Sequence, residues 1–202
     1  MAKPDRITEY FETLHKEIDL LLPHLRKDRR ISQIHYGGGS PSSMPLPLIR
    51  AVNEHLLSAF ETIENPEIAI ECHPGYLKAE DWHYLLGSGF NRFSLGIQDF
   101  NADVLHTVNR HPSLLPVAEI MDILRKGGAK VNFDFIYGLP KQSVKEFVST
   151  IETAISLRPD RLVTFSYAHL PSLFKRQQIL EKAGLPLQNE KLGMFEEAAR
   201  TL

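Results

Sequence analysis

The chain has 202 residues, 43% hydrophobic and 24% charged, with 23 Lys plus Arg against 25 Asp plus Glu, a formal net charge of −2 and one cysteine. That length suits one domain with a buried core, and the near-neutral charge supplies no long-range attraction to nucleic acid or anionic lipid. The lone thiol, Cys72, excludes an internal disulfide, a four-cysteine zinc site and an iron–sulfur cluster held by this chain alone.

The opening MAKPDRITEYFETLHKEIDLL is charged throughout, unlike a secretory signal, and no apolar run approaches the ~20 residues that span a bilayer. A cytoplasmic chain without membrane insertion is expected. From Ile7 to Leu22, the residues Ile7, Tyr10, Phe11, Leu14, Ile18, Leu21 and Leu22 recur at helical spacing, predicting an amphipathic helix. A basic patch, LRKDRR, precedes ISQIHY, a strand running into Gly37, Gly38 and Gly39.

The same grammar repeats. PLPLIRAVNEHLLSAF reads as a helix with Leu48, Ile49, Val52, Leu56 and Phe60 inward, and PEIAIECHP as a strand. KAEDWHYLLGSG gives a short helix and NRFSLGIQDF a strand with Gln98 and Asp99 at its polar end. A short turn at ADVLHTVN and a helix in LLPVAEIMDILRKGG, stopped by Gly127 and Gly128, lead to the strand KVNFDFIYGLP. Ser143 and Glu146 form a capping-box pattern at the head of SVKEFVSTIETAISL, before the strand RPDRLVTFSYAHL. Helical patterns in YAHLPSLFKRQQILEKAG and LPLQNEKLGMFEEAARTL close the chain, the latter with Leu192, Met194, Phe195 and Ala199 expected to face a core.

Strands therefore begin near Ile31, Ile68, Arg92, Val131 and Leu162, with helical segments between them, so the five should be parallel. The expected fold class is α/β, a (β/α) barrel or part of one. A three-layer open sheet remains compatible, because five strands do not reveal closure. In VNFDFIYG, Asn132 and Asp134 share one face and Val131, Phe133 and Phe135 the other, as in a barrel whose interior carries a site.

Candidate chemistry sits at the strand ends. Three glycines in IHYGGGSP let backbone approach a ligand, or simply make a tight turn. Glu71 can accept donors from a polar ligand or salt-bridge a neighbouring arginine; Gln98 can donate and accept; Asp99 either fixes a positive group or caps the next segment. Arg110, in VNRHP, suits a ligand carboxylate, against the alternative of solvated surface. Asp134, a carboxylate between Phe133 and Phe135, is either functional or held by a structural hydrogen bond. His73 and His169 read as satisfied loop or core histidines. There is no HExxH, no G-x-S-x-G elbow and no identifiable base for Cys72.

Taken together, IHYGGGSP, IECHP, GIQDFN, VNR, NFDFIYGLPKQ and YAHLP resemble the oxygen-independent coproporphyrinogen III oxidase family of radical S-adenosylmethionine enzymes, from about Ile7 to the C-terminus. YAHLPSLFKRQQILEKAGLP favours that oxidase over the related haem chaperone. The resemblance implies a partial TIM-like (β/α) barrel of the radical S-adenosylmethionine type. It implies a single incomplete core domain over residues 1–202, with the first strand and the C-terminal region missing. It further implies S-adenosylmethionine as cofactor, contacted through its amino-acid portion by Gly38, Gly39 and Ser40. Ser40 keeps the hydroxyl of the threonine common at that position. Glu71, Gln98, Arg110 and Asp134 match further cofactor contacts, and Ala168 lies beside bound cofactor on the last strand.

The family's CxxxCxxC motif, whose thiolates hold a [4Fe-4S] cluster, is missing from this sequence. The implied parent reaction is oxidative decarboxylation of two propionates of coproporphyrinogen III in haem biosynthesis, with an external electron donor. The chain is expected to be an internal piece of such an oxidase, inactive by itself. Two alternatives are a non-catalytic S-adenosylmethionine- or porphyrin-binding protein related to the haem chaperones, and an ordinary barrel enzyme using Asp134 or His169 as acid or base.

Overall fold

A computed structural model describes residues 4–26 and 28–202; residues 1–3 and Lys27 of the basic patch lie outside the described residues. Helix and strand alternate as α1 (Pro4–Leu21), β1 (Ile31–Tyr36), α2 (Leu46–Ala59), β2 (Thr62–Cys72), α3 (Ala79–Gly87), β3 (Arg92–Gln98), α4 (Ala102–Thr107), α5 (Val117–Lys126), β4 (Lys130–Tyr137), α6 (Val144–Ser156), β5 (Arg161–Ser166), α7 (Gln178–Glu181) and α8 (Gln188–Thr201). All neighbouring strands pair in parallel, in the order β1-β2-β3-β4-β5.

That sequential order decides between the two architectures open from sequence. A doubly wound sheet reverses its order at a switch point; here each crossover steps in the same direction, giving a five-strand parallel half-barrel. The sheet is correspondingly two-faced. Ile68, Ile70 and Cys72 on β2, Phe93, Leu95 and Ile97 on β3, and Val131, Phe133 and Phe135 on β4 are buried on its outer face. They form one core with Trp82 and Leu85 of α3, Ile120 and Leu124 of α5, and Phe147 and Ile151 of α6. Each fully buried aromatic or branched side chain contributes about 2 kcal/mol of transfer free energy, so this outer layer is the main source of stability.

The concave face alternates with it and is polar. Glu67 Oε1 accepts from Gln33 Nε2 at 2.7 Å and Glu67 Oε2 accepts from Arg92 Nη1 at 2.7 Å, while Ser94, Asn132 and Asp134 are linked higher up the barrel. Sequence alternation thus separates two faces, one feeding the core and the other carrying the polar side chains.

Several expected details differ. Strand β2 begins at Thr62, well before PEIAIECHP; Ile31 pairs with Thr62 but Gln33 with Glu67, so the intervening residues arch outward around Pro66, which has no N–H for the ladder. In α1, Phe11 is buried and Ile7, Leu14 and Ile18 pack beside it, but Tyr10 and Leu21 are exposed. In α8, Met194 and Ala198 make the buried i, i+4 pair, which turns Leu192, Phe195 and Ala199 outward. The helix expected in YAHLPSLFKRQQILEKAG shrinks to a 3-10 turn, Lys175–Gln177, and α7, with Leu173, Phe174 and Ile179 exposed. The capping box of α6 forms as expected, with Ser143 Oγ accepting from Glu146 N and Glu146 Oε2 accepting from Ser143 N at 2.8 Å. Among the described residues no helix is long and apolar enough to cross a membrane.

Candidate functional site

The C-terminal ends of β1 to β4 converge on one depression in the concave face. Gly38 and Gly39 follow β1 with φ of +76° and +53°, values that favour glycine, and they leave open space where side chains would stand. Their loop is anchored from below: the buried Ser42 accepts at Oγ from His73 N at 2.8 Å, tying it to the end of β2. On the next strand Glu71 carries its carboxylate 3.3 Å from His35 Nε2.

Gly96 of β3 is a point of close approach. A Cβ there would stand 2.7 Å from Arg110 Nη2 and 3.0 Å from Gln98 Nε2. Arg110 donates from Nη2 to the Gly96 carbonyl, which holds the guanidinium at the strand end, and burial works against its charge, pulling its pKa below the ordinary arginine value. Gln98 has φ of +69° at a register shift against β4, an unusual backbone for a residue with a side chain, and its Oε1 is buried without a hydrogen-bond partner. Backbone strain together with an unsatisfied acceptor is the combination expected where a ligand completes the structure.

Gly39, Ser40, Glu71, Gln98, Arg110 and Asp134, six of the residues expected from sequence, line this depression of about 150 Å³, with Cys72, Ser94 and Gly96 completing the wall. It is smaller than the roughly 300–1,000 Å³ of typical ligand pockets. A second concavity of about 300 Å³, lined by His35, Glu67, Arg92, Asn132 and Arg161 among others, adjoins it through Ser94. Gly38 sits beside the depression without lining it. Ala168 is exposed beyond β5, its carbonyl accepting from Gln177 Nε2 at 3.0 Å, and it does not line the depression.

The chemistry of the donor set is complementary to a charged, hydroxyl-bearing ligand. Arg110 and Gln98 donate, Glu71 and Asp134 accept, and the glycine loop exposes backbone. Asp134 has its hydrogen bonds, from Ser94 Oγ at 2.7 Å and Asn132 Nδ2 at 2.8 Å. Ser94 and Gly96 were not singled out in the sequence, although the period of two in RFSLGIQ places both on the face of Gln98.

Other candidates are structural. Asp99 is buried and accepts from Asn101 N at 2.8 Å, Gln142 Nε2 at 2.5 Å and Thr150 Oγ1 at 2.7 Å, so it ties the β3 end to α6. His73 accepts from Gly75 N at 3.0 Å and stacks on Tyr76; His169 pairs with Glu181 at 3.1 Å. Cys72 lies in the outer core, where burial, aided by the Glu71 charge, pushes its thiol far above the ordinary range. Among the described residues no group of three or more His, Cys, Asp or Glu side chains is placed to hold a metal ion.

Known proteins share the fold and much of the sequence. The model of the Radical SAM superfamily matches residues 4–154. The oxygen-independent coproporphyrinogen III oxidase of Salmonella typhimurium is 37% identical over 195 residues, 96% of this chain and 42% of that protein, and its counterpart in Paracoccus denitrificans is 33% identical over 95% of this chain and 43% of its own length. The solved structure of coproporphyrinogen III oxidase from Escherichia coli superposes with a TM-score of 0.91 at 34% identity, covering 99% of this chain and 46% of that one. The chain thus spans less than half the length of these relatives.

Proposed function

The chain belongs to the radical SAM superfamily, and on that premise we propose that its concave depression binds S-adenosylmethionine as part of an oxygen-independent coproporphyrinogen III oxidase acting in the cytoplasm. The carrying observation is the convergence of Gly39, Ser40, Glu71, Gln98, Arg110 and Asp134 in one depression, with Gln98 Oε1 buried and unpartnered. The Gly38-Gly39-Ser40 loop takes the amino-acid portion through backbone groups and the Ser40 hydroxyl. Arg110 neutralises a carboxylate, which relieves the cost of its own burial, and Asp134 accepts from ribose hydroxyls. Gln98 contributes an amide that both donates and accepts. Ala168 borders the same ligand from the β5 side when the ligand extends beyond the depression. S-Adenosylmethionine, when bound and reduced, supplies one-electron chemistry able to attack an unactivated carbon.

The cluster does not fit these residues. A [4Fe-4S] cluster is held by cysteine thiolates, and the one cysteine here is directed into the core as a thiol. No step through the cluster is therefore derived, and these 202 residues are proposed not to turn over by themselves. Coproporphyrinogen III, as substrate, and an electron donor belong to the proposed reaction of the whole protein.

Isothermal titration of S-adenosylmethionine into the purified chain, with iron and sulfide analysis after anaerobic reconstitution, tests both parts. Binding that weakens at least tenfold in Arg110→Ala and in Asp134→Ala, with iron well below stoichiometric, is the expected result. Absence of binding in a folded sample sinks the site assignment, and a stoichiometric four-iron cluster sinks the claim about the thiolates.

A further inference from the structure

The carboxylate of Asp134 is held by a closed set of three side chains. Ser94 and Asn132 sit opposite each other on β3 and β4, and Asp134 lies opposite Gly96. Ser94 Oγ is 2.7 Å from Asp134 Oδ2; Asn132 Nδ2 is 2.8 Å from Asp134 Oδ1 and 2.6 Å from Ser94 Oγ.

Counting protons fixes every role. The amide of Asn132 has two N–H groups, one for Asp134 Oδ1 and one for Ser94 Oγ. Ser94 has one hydroxyl proton; since its oxygen already accepts from Asn132, that proton goes to Asp134 Oδ2. Each carboxylate oxygen therefore accepts one internal bond and keeps its remaining lone pairs for the depression that Asp134 lines. The amide cannot be reversed, because its carbonyl would then face the carboxylate. The consequence is visible: Asn132 is buried, and its Oδ1 has no partner. An amide whose own acceptor is left unsatisfied while both its donors are used is oriented for the carboxylate's benefit.

Position along the barrel points the same way. Gly96, opposite Asp134, carries no side chain of its own, and the polar ends of Gln98 and Arg110 reach over it to stand at the level of the carboxylate, while Ser94, one pleat below, supports it from beneath. A carboxylate locked at both oxygens in one plane matches two adjacent hydroxyls on a five-membered ring better than a free rotor does, because the rotor entropy is removed before binding.

We propose that Ser94 and Asn132 are positioning residues that lock the Asp134 carboxylate in the plane needed to grip the vicinal hydroxyls of the cofactor ribose, and so set the discrimination between ribose and deoxyribose ligands. This rests on the assignment of the depression to S-adenosylmethionine. The side chains act through Asp134 and need not touch the ligand.

The test is a double-mutant cycle by isothermal titration on the purified chain, using S-adenosylmethionine and its 2′-deoxyribose analogue as probes. In the unmodified chain the analogue should bind about tenfold more weakly. Ser94→Ala, which removes one oxygen from a partly accessible site, should weaken S-adenosylmethionine three- to tenfold and shrink the discrimination to about twofold. Ser94→Thr should restore both. In an Asp134→Ala background, Ser94→Ala should change neither affinity by more than about twofold. An equal loss in both backgrounds, or none in either, overturns the positioning role while leaving the site assignment standing. If S-adenosylmethionine binds the unmodified chain and Asp134→Ala equally, or binds neither, the site assignment itself fails and this inference with it. A readout independent of ligand is the Asn132 side-chain amide in NMR: its two proton resonances should be shifted and slow to exchange in the unmodified chain, and Asp134→Ala should abolish both properties. Unchanged resonances in Asp134→Ala overturn the closed triad.

Discussion

The Arg110 guanidinium rests on the Gly96 carbonyl, and the absence of a side chain at Gly96 is what makes that contact possible. The loop after α4 thereby delivers a cation to the end of β3. A methyl group at Gly96 would stand 2.7 Å from Arg110 Nη2 and 3.0 Å from Gln98 Nε2, both at the ends of flexible side chains, and its backbone carries no positive φ. Gly96→Ala should therefore fold with little change in Tm while displacing both side chains, and, with the depression as the proposed S-adenosylmethionine site, affinity should fall at least tenfold by titration calorimetry. Unchanged affinity would remove Arg110 and Gln98 from the site together.

The buried Asp99 makes a contrasting prediction, because its partners are structural. Removing it strands the Thr150 hydroxyl proton and one of the two Gln142 Nε2 protons inside the protein, the other still reaching the Ile136 carbonyl. A buried donor stripped of its partner costs roughly 1–3 kcal/mol, and a charged acceptor serving three donors stands at the upper end. Asp99→Ala should lower unfolding stability by about 3 kcal/mol in urea titration, with m unchanged. A change below about 1 kcal/mol would mean that water replaces the carboxylate without penalty.

These two residues show what could be read in advance. GIQDF placed both Gln98 and Asp99 at a strand end, and periodicity gave VNFDFIYG its two faces, because burial imposes a period of two wherever one side feeds a core. What separated them was partners distant in sequence. Gln142 and Thr150 capture Asp99, a pairing that only the fold creates, whereas Gln98 is left with an unsatisfied oxygen by a register shift against β4 that no local pattern encodes. The same holds for Ser94 and Gly96, ordinary residues until β4 lies beside them. Helix faces failed where packing was one-sided: α8 lies against α6 and buries Met194 and Ala198, while Leu192 is exposed and Phe195, half exposed, stands 6.2 Å from the Tyr137 ring. Barrel-type and doubly wound sheets were indistinguishable from spacing and became distinguishable from strand order.

The end of α6 offers a gain of stability. Arg158 has φ of +51° just past the helix, and Arg125 donates to the carbonyls of Leu157 and Arg158, capping the helix from α5. Left-handed backbone costs a non-glycine residue about 1–2 kcal/mol, while glycine gives back roughly 0.5–1 kcal/mol in unfolded-state entropy. Arg158→Gly should then stabilise by up to about 1 kcal/mol in urea unfolding, and Arg125→Ala should destabilise by about 1 kcal/mol through loss of the cap. A destabilised Arg158→Gly would mean that the arginine side chain has a role beyond its backbone.

His73 supplies a pH dependence whose sign is set by its surroundings. It is buried at the end of β2, accepts from Gly75 N, stacks on Tyr76 at 4.2 Å, and has Arg110 and His111 as cationic neighbours. Burial first, then the charges of Arg110 and His111, pull its pKa from 6.5 down to about 4. Above 6.5 the ring is neutral whether the chain is folded or not, and the group makes no pH-dependent contribution. As pH falls from 6.5 towards 4, the unfolded chain takes up a proton that the folded chain refuses, so unfolding is favoured and stability is lost; below about 4 both states carry the proton and the loss stops growing. Allowing for solvent screening, the loss amounts to about 2 kcal/mol. His73→Asn keeps an acceptor for Gly75 N but cannot titrate, so its stability should fall less steeply over the same interval. Unfolding free energies measured at pH 7, 5.5 and 4.5 should converge for the two proteins as pH falls, the unmodified chain losing its advantage. Parallel curves would show that His73 is not the source of the acid sensitivity.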